Sequence, residues 1–272
     1  QQTAACQASM APLLLLALPC AAASLRAQVL AAELKREAPY LARPDGMQAA
    51  LRPPADEDAV GVAVVVDPLC DYLGVALIEE LLERGVAVAT IFSDYMAEGL
   101  AAANGVEPPL GLLAPRTDGE EWLSGAAPPL ACLSESDAGI ATAEQLSNLL
   151  GCEFRNAVGP SRRHKWLLHE TLREHNLPHC RQALCETEDE LVAFYRAEAT
   201  AIIVKPCRGV GSEDVYKCCD EAACANAFSM LKATTRYAGG PNDVILAQQF
   251  LDGPEYAIDS VSRNGEHKVT AL

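Results

Sequence analysis

The chain has 272 residues, half of them hydrophobic but only 5% aromatic, and a formal net charge of −16 at neutral pH. That length accommodates a sizeable core and two domains. Its acidity argues against nucleic acid or anionic membranes as general partners, so any bound polyanion must be held by a local cluster of Lys and Arg.

The chain opens on Gln1, and its first methionine is Met10. Residues 10–24 have an apolar middle followed by small residues, like a signal peptide, but lack a basic start and are too short to span a bilayer. Residues 21–37 read equally as an amphipathic helix, and an organelle transit segment is a third reading. Residues 1–57 are accordingly read as a leader, targeting or disordered segment with a linker; Arg52-Pro53-Pro54-Ala55-Asp56-Glu57-Asp58 supplies the prolines and charge of that linker. Residues 60–66 then read as a buried strand of parallel type, 69–84 as a helix and 86–92 as a second strand. This is a βαβ start. Pro-rich loops follow at 107–116 and 125–130.

A second helix is expected from Ser161, a candidate cap, through Trp166, Leu167, Leu168 and Leu172, which form an apolar stripe. Lys165 falls near its start, where the positive end of the helix dipole disfavours a structural cation but suits one that meets an anionic ligand. Arg162, Arg163 and Lys165 also read as a solvated basic cluster.

The segment Ala201-Ile202-Ile203-Val204-Lys205-Pro206-Cys207-Arg208-Gly209-Val210-Gly211-Ser212 places a lysine at the end of a β-branched run, then a small flexible loop. Glycines let backbone N–H groups approach phosphate oxygens, because no Cβ blocks the way. The order is not that of a P-loop, where lysine follows the glycines and a helix begins at once. Here Glu213-Asp214-Val215-Tyr216-Lys217 reads as another strand. A ligand-free turn between two strands would use glycines as well. Further on, 244–250 reads as a buried strand, Asp252-Gly253-Pro254 as a turn, and 256–262 as a strand. Asn264-Gly265 has the sequence of a hairpin turn, so the chain should return through 267–270.

This order, a basic helix start, a strand-Lys-Gly loop and a strand-turn-Glu-strand, resembles the ATP-grasp superfamily. Asp137-Ala138-Gly139-Ile140, the stretch from Ala143 to Gly151 and Glu255-Tyr256-Ala257-Ile258-Asp259 resemble its L-amino-acid ligase branch. The resemblance spans residues 58 to 272 and is strongest from 160 onward. It implies an α/β fold, α+β in the lid. A small N-terminal α/β domain at 58–157 would precede an ATP-grasp lid subdomain at 158–249, and the C-terminal ATP-grasp subdomain would begin at 250–272.

By the same resemblance, Lys165 and Lys205 match the lysines that reach the nucleotide phosphates. Gly209, Gly211 and Ser212 match the loop that closes over them. Backbone groups at Phe250 and Leu251 match the hinge that holds adenine, and Glu255 matches the acid that accepts from the ribose hydroxyls. The family often has glutamate where Gln248 stands; its amide oxygen can still accept from the adenine amino group, while strand alternation alone offers a solvent-facing side chain. Magnesium ligands and a substrate-steadying arginine lie, in the family, beyond the point matching Leu272. The resemblance therefore implies ATP, with Mg²⁺ in the complete protein, and a truncated chain inactive by itself. No catalytic residue is assigned.

Eleven cysteines without regular spacing do not suggest a disulfide framework, and Cys207, Cys218, Cys219 and Cys224 lack the paired spacing of a zinc ribbon, so no metal is assigned. Buried thiols in a reducing compartment are the expected reading, which favours the cytoplasm. The five histidines mark no nucleophilic triad. The function implied is ATP-dependent carboxylate–amine ligation through an acyl phosphate, with a nucleotide and an amino-acid or carboxylate substrate as partners. Neither nucleic acid nor membrane is expected, and self-association is left open. The alternatives are a non-catalytic nucleotide-binding remnant and a cysteine-rich redox or scaffold protein.

Overall fold

The computed structural model describes residues 25–37, 48–52, 59–68, 74–92, 112–113, 129–135, 137–209, 211–234 and 242–272. They form an α/β protein that divides into two compact units, one ending at Pro160 and the other beginning at Ser161.

The first unit contains, in chain order, α1 (Leu25–Glu37), β1 (Gln48–Arg52), β2 (Gly61–Val66), α2 (Ala76–Glu83), β3 (Val86–Phe92), β4 (Leu112–Leu113), β5 (Pro129–Leu133) and α3 (Asp137–Leu149). The strands form one sheet in the order β4-β1-β3-β2-β5. Strand β2 runs parallel to both β3 and β5, so the βαβ start is present. Every residue of β2 is buried. The reason is burial on two faces: Val62, Val64 and Val66 pack with Ala143 and Leu146 of α3, while Val65 joins Val88 and Ile78 of α2. A strand covered on both sides reads as an uninterrupted apolar run, as 60–66 does.

Two features escape the sequence reading. Residues 48–52 form β1, paired antiparallel with β3 from Gln48↔Phe92 to Arg52↔Val88. Its Gln-Ala-Ala-Leu-Arg has no β-branched signal, and the partner's backbone supplies the pairing. Strand β5 also begins at Pro129, inside a stretch read as loop; the first position of a strand tolerates proline. Of the helix expected over 69–84, residues 69–73 lie outside the described residues.

The second unit contains α4 (Lys165–Glu174), β6 (Gln182–Cys185), α5 (Glu188–Glu198), β7 (Ile202–Pro206), β8 (Tyr216–Cys218), α6 (Glu221–Ala233), β9 (Ile245–Gln249), β10 (Asp259–Arg263) and β11 (Glu266–Ala271). Strands β6-β9-β7-β8 form a four-stranded sheet in that order, each neighbour antiparallel. One face carries Cys185, Ile202, Val204, Cys218, Ile245 and Ala247, which pack against Leu191 of α5 and Ala227 and Leu231 of α6. Each fully buried aliphatic side chain there contributes roughly 1.5–3 kcal/mol. Helix α5 is fixed by a capping box: Thr187 Oγ1 accepts from the Glu190 N–H while the Glu190 carboxylate accepts from the Thr187 N–H.

Three expectations about this unit need correction. Ser161 does not cap the helix; it sits in a 3₁₀ turn at Pro160–Arg162, and His164 is the N-cap, its Nδ1 accepting from the Leu167 N–H at 3.3 Å. Strand β8 starts only at Tyr216, because Ser212 and Asp214 take left-handed conformations (φ 60° and 56°) that no strand continues. Strand β10 starts at Asp259 rather than at residue 256, where pairing with β11 begins. The hairpin itself is as expected: Asn264 and Gly265 have φ of 51° and 81°, and Arg263 pairs with Glu266 across them.

Candidate functional site

The sheet of the second unit is two-faced. Alternation along paired strands places Gln182, Ile203, Lys205, Lys217, Leu246 and Gln248 on the face opposite α5 and α6. This second face therefore carries two ammonium groups and two amides. Helix α4 adjoins it. The Lys165 N–H donates to the Cys207 carbonyl at 2.9 Å, and Lys165 Nζ donates to the Gly209 carbonyl at 2.6 Å. The first residue of α4 is thereby joined, by backbone and side chain, to the loop that leaves β7.

Lys205 is half-buried at the end of β7, and burial pushes its ammonium below the ordinary lysine range; the Lys165 ammonium lowers it further. The two cations from separate segments thus sense each other. Lys205 makes no ion pair among the described residues, and the other groups acting on it are the thiols of Cys180 and Cys207. His169 of α4 belongs to the same neighbourhood. Its Nδ1 accepts from the Cys180 N–H at 3.1 Å, and burial, then Lys205, lowers its pKa.

The loop after β7 is open. Gly211 has φ +62°, and a Cβ there would meet nothing within 4 Å; at Gly209 a Cβ would meet only Pro206 Cγ, at 4.0 Å. Ser212 follows in the left-handed region, a conformation that costs a non-glycine residue on the order of 1 kcal/mol. The glycines therefore leave the backbone of this loop uncovered where a side chain would otherwise stand.

Gln248 does not face solvent: it is 3% exposed. Its Nε2 donates to Gln182 Oε1 at 2.9 Å, across the β9–β6 pair. Phe250 follows β9, its N–H donating to the Ala201 carbonyl and its ring 3.7 Å below Lys217 Nζ, a cation–π contact. Leu251 and Glu255 lie in the exposed segment that precedes β10. The structure thus brings Lys165, Lys205, Gly209, Gln248 and Phe250 to one sheet face, with Gly211 and Ser212 further along the loop after β7, while Glu255 is exposed and makes no hydrogen bond to a described residue.

Sequence reasoning missed Gln182, Glu170 and Lys217. Nothing in the chain order pairs residue 182 with residue 248; only the register does. Lys217 was legible as a strand residue, two positions before the exposed Cys219, but not as a residue of the lysine face. The cysteines are free thiols wherever described. Burial pushes Cys185 and Cys218 each up to about 12, so both stay neutral in the core. Among the described residues, no three His, Cys, Asp or Glu side chains come together to hold a metal, and no helix is long and apolar enough to cross a membrane.

No family model matches the chain. Dapdiamide A synthase of Enterobacter agglomerans is 30% identical over 145 residues, covering 52% of this chain and 34% of the synthase. In fold, the L-amino acid ligase from Bacillus licheniformis superposes with a TM-score of 0.50 at 17% identity, over 79% of this chain and 52% of the ligase. The VanG D-Ala:D-Ser ligase from Enterococcus faecalis does so with 0.51 at 13% identity, over 78% and 68%. The match thus spans about a third of the synthase's length and about half of the L-amino acid ligase's. The chain therefore shares the α/β fold of these two ligases, with its own four-stranded antiparallel sheet, lysine face and glycine loop after β7.

Proposed function

We propose that this chain is the nucleotide-binding portion of an ATP-dependent carboxylate–amine ligase that works through an acyl phosphate. The observation that carries the reading is the half-buried Lys205, without an ion pair among the described residues, set beside Lys165 under an open glycine loop. Burying two like charges together is unfavourable unless an anion offsets them. A triphosphate does so.

On this reading, Lys165 and Lys205 hold the phosphates, and Gly209, Gly211 and Ser212 form the flap above them. A phosphate oxygen is a stronger acceptor than the Gly209 carbonyl, so it displaces that carbonyl from Lys165 Nζ and releases the loop to close. The base lies along Gln248, the Phe250 carbonyl and the Leu251 N–H, and the exposed carboxylate of Glu255 accepts from the ribose. The γ-phosphoryl group passes to a substrate carboxylate, and an amine then displaces phosphate to form the C–N bond. The lysines stabilise charge on the transferring group; no covalent attack by a side chain is involved. No described residue is assigned to Mg²⁺, since no three His, Cys, Asp or Glu side chains cluster among the described residues. Two of the relatives above are named as ligases of amino acids, which supports an amino acid as one substrate.

Titration with a fluorescent ATP analogue tests the binding reading. The chain should saturate, and Lys205→Ala should weaken binding tenfold or more, as expected for loss of a charge-assisted contact of ~1.5–3 kcal/mol. An unchanged dissociation constant removes Lys205 from the site. Phosphate release that depends on an added amino acid, measured on the full-length protein, supports ligation. Saturable binding with no such release favours a non-catalytic nucleotide-binding protein.

A further inference from the structure

Gln182 stands at the centre of a hydrogen-bonded relay whose donors and acceptors can be assigned without ambiguity. Its Nε2 donates to the Trp166 carbonyl at 2.9 Å and to Glu170 Oε1 at 3.1 Å. The other Glu170 oxygen accepts from Arg173 at 2.6 Å, and these bonds from Arg173 and Gln182 outweigh burial to hold the carboxyl below its ordinary range. Glu170 is therefore ionised and can only accept. The Trp166 carbonyl can only accept as well. Both of Gln182's neighbours on α4 demand its NH₂ group, so its oxygen must turn toward Gln248, and Gln248 must answer with its own NH₂.

The consequence lies one residue further in. With Nε2 directed at Gln182, the Gln248 amide presents Oε1 on its other side. No described residue donates to that oxygen, and it is not among the side-chain atoms closed off from the surface without a partner. An amide oxygen held in one orientation and still reachable is placed to accept from a ligand that brings a donor.

We propose that Gln182, held by Glu170 and Trp166, is a positioning residue that locks the Gln248 amide with its oxygen toward the ligand, and so selects a base with an exocyclic amino group over one with a carbonyl there. The proposal rests on the nucleotide reading above. Because an amide can offer either an acceptor or a donor simply by turning over, Gln248 alone has no such preference; the relay supplies it. The charge of Glu170 is the origin of the lock, since a neutral amide there could accept or donate and would leave Gln182 able to turn.

The test compares ATP with ITP, which carries a carbonyl where adenine carries its amino group, by equilibrium titration of the whole chain. Wild type should favour ATP by roughly tenfold or more, the discrimination expected when a buried acceptor faces an acceptor. In Gln182→Met the Gln248 amide is released to turn. ITP affinity should rise, and the two constants should come within about threefold of each other. Glu170→Gln, which keeps the shape of the helix surface, should move the ratio in the same direction. Loss of packing alone would weaken both nucleotides together and could not improve ITP. An unchanged ATP-to-ITP ratio in both variants, with ATP still bound, overturns the relay and leaves the nucleotide site standing. Absence of saturable ATP binding by wild type overturns the nucleotide reading and the relay with it.

Discussion

Lys205 shows how much a single side chain's surroundings decide. On sequence it is a lysine closing a β-branched run; in the fold its ammonium is disfavoured first by burial and then by Lys165. An anion bound across the pair would raise its pKa again. The sign of the pH dependence follows: affinity is fully present below the lowered pKa of the ligand-free state and falls as pH rises from there through the higher pKa of the bound state. Phosphate affinity should therefore begin to decline on the alkaline side at a lower pH than it would with an ordinary lysine. Lys205→Arg, which stays charged throughout, should flatten that decline in a titration series; a wild-type profile already flat there counts against Lys205 as a phosphate ligand. Gln248 teaches a related lesson. Its alternatives, an acceptor for adenine or a solvent-facing strand residue, were both open on sequence, and its 3% exposure removes the second.

Helices and strands here follow local chemistry where that chemistry is strong. The run 60–66 is apolar because β2 is covered on both faces, and Asn264-Gly265 turns the hairpin because both residues accept positive φ. Where local signals were weak or misleading, neighbours decided. Ser161 is a good capping residue, yet His164 caps α4, since the Lys165 N–H is already bound to the Cys207 carbonyl and sets where the helix begins. Helix α5 is the opposite case, a capping box written plainly as Thr187 to Glu190. Thr187→Ala should destabilise the chain by about 1 kcal/mol in urea unfolding, through loss of that cap. The sheet face bearing Lys205 lies on the far side of the core from α5, so nucleotide affinity measured in parallel should be unchanged. Unaltered stability would mean that α5 is held by packing of Leu191 alone.

Each of the two compact units has a core of its own, one built around β2 and the other beneath β7 and β9. All the residues proposed to touch nucleotide, from Lys165 to Glu255, fall in the unit that starts at Ser161. A fragment of residues 161–272 should therefore bind an ATP analogue within about threefold of the whole chain, a difference under ~0.7 kcal/mol. A fragment that folds by circular dichroism but does not bind would show that the first unit supplies part of the site. The chain order of basic helix start, strand, lysine, glycine loop and hairpin was readable directly, because β-branched runs, glycines and turn pairs act over a few residues. So was the family these motifs resemble. What the linear chain could not contain is strand register. Pairing Gln182 with Gln248, aligning Ile203 with both Gln248 and Lys217, and bringing Lys165 against the loop after Lys205 all join residues between 14 and 66 positions apart. Those contacts are selected by the burial of one sheet face against α5 and α6, a cooperative choice of the whole unit that no local stretch encodes.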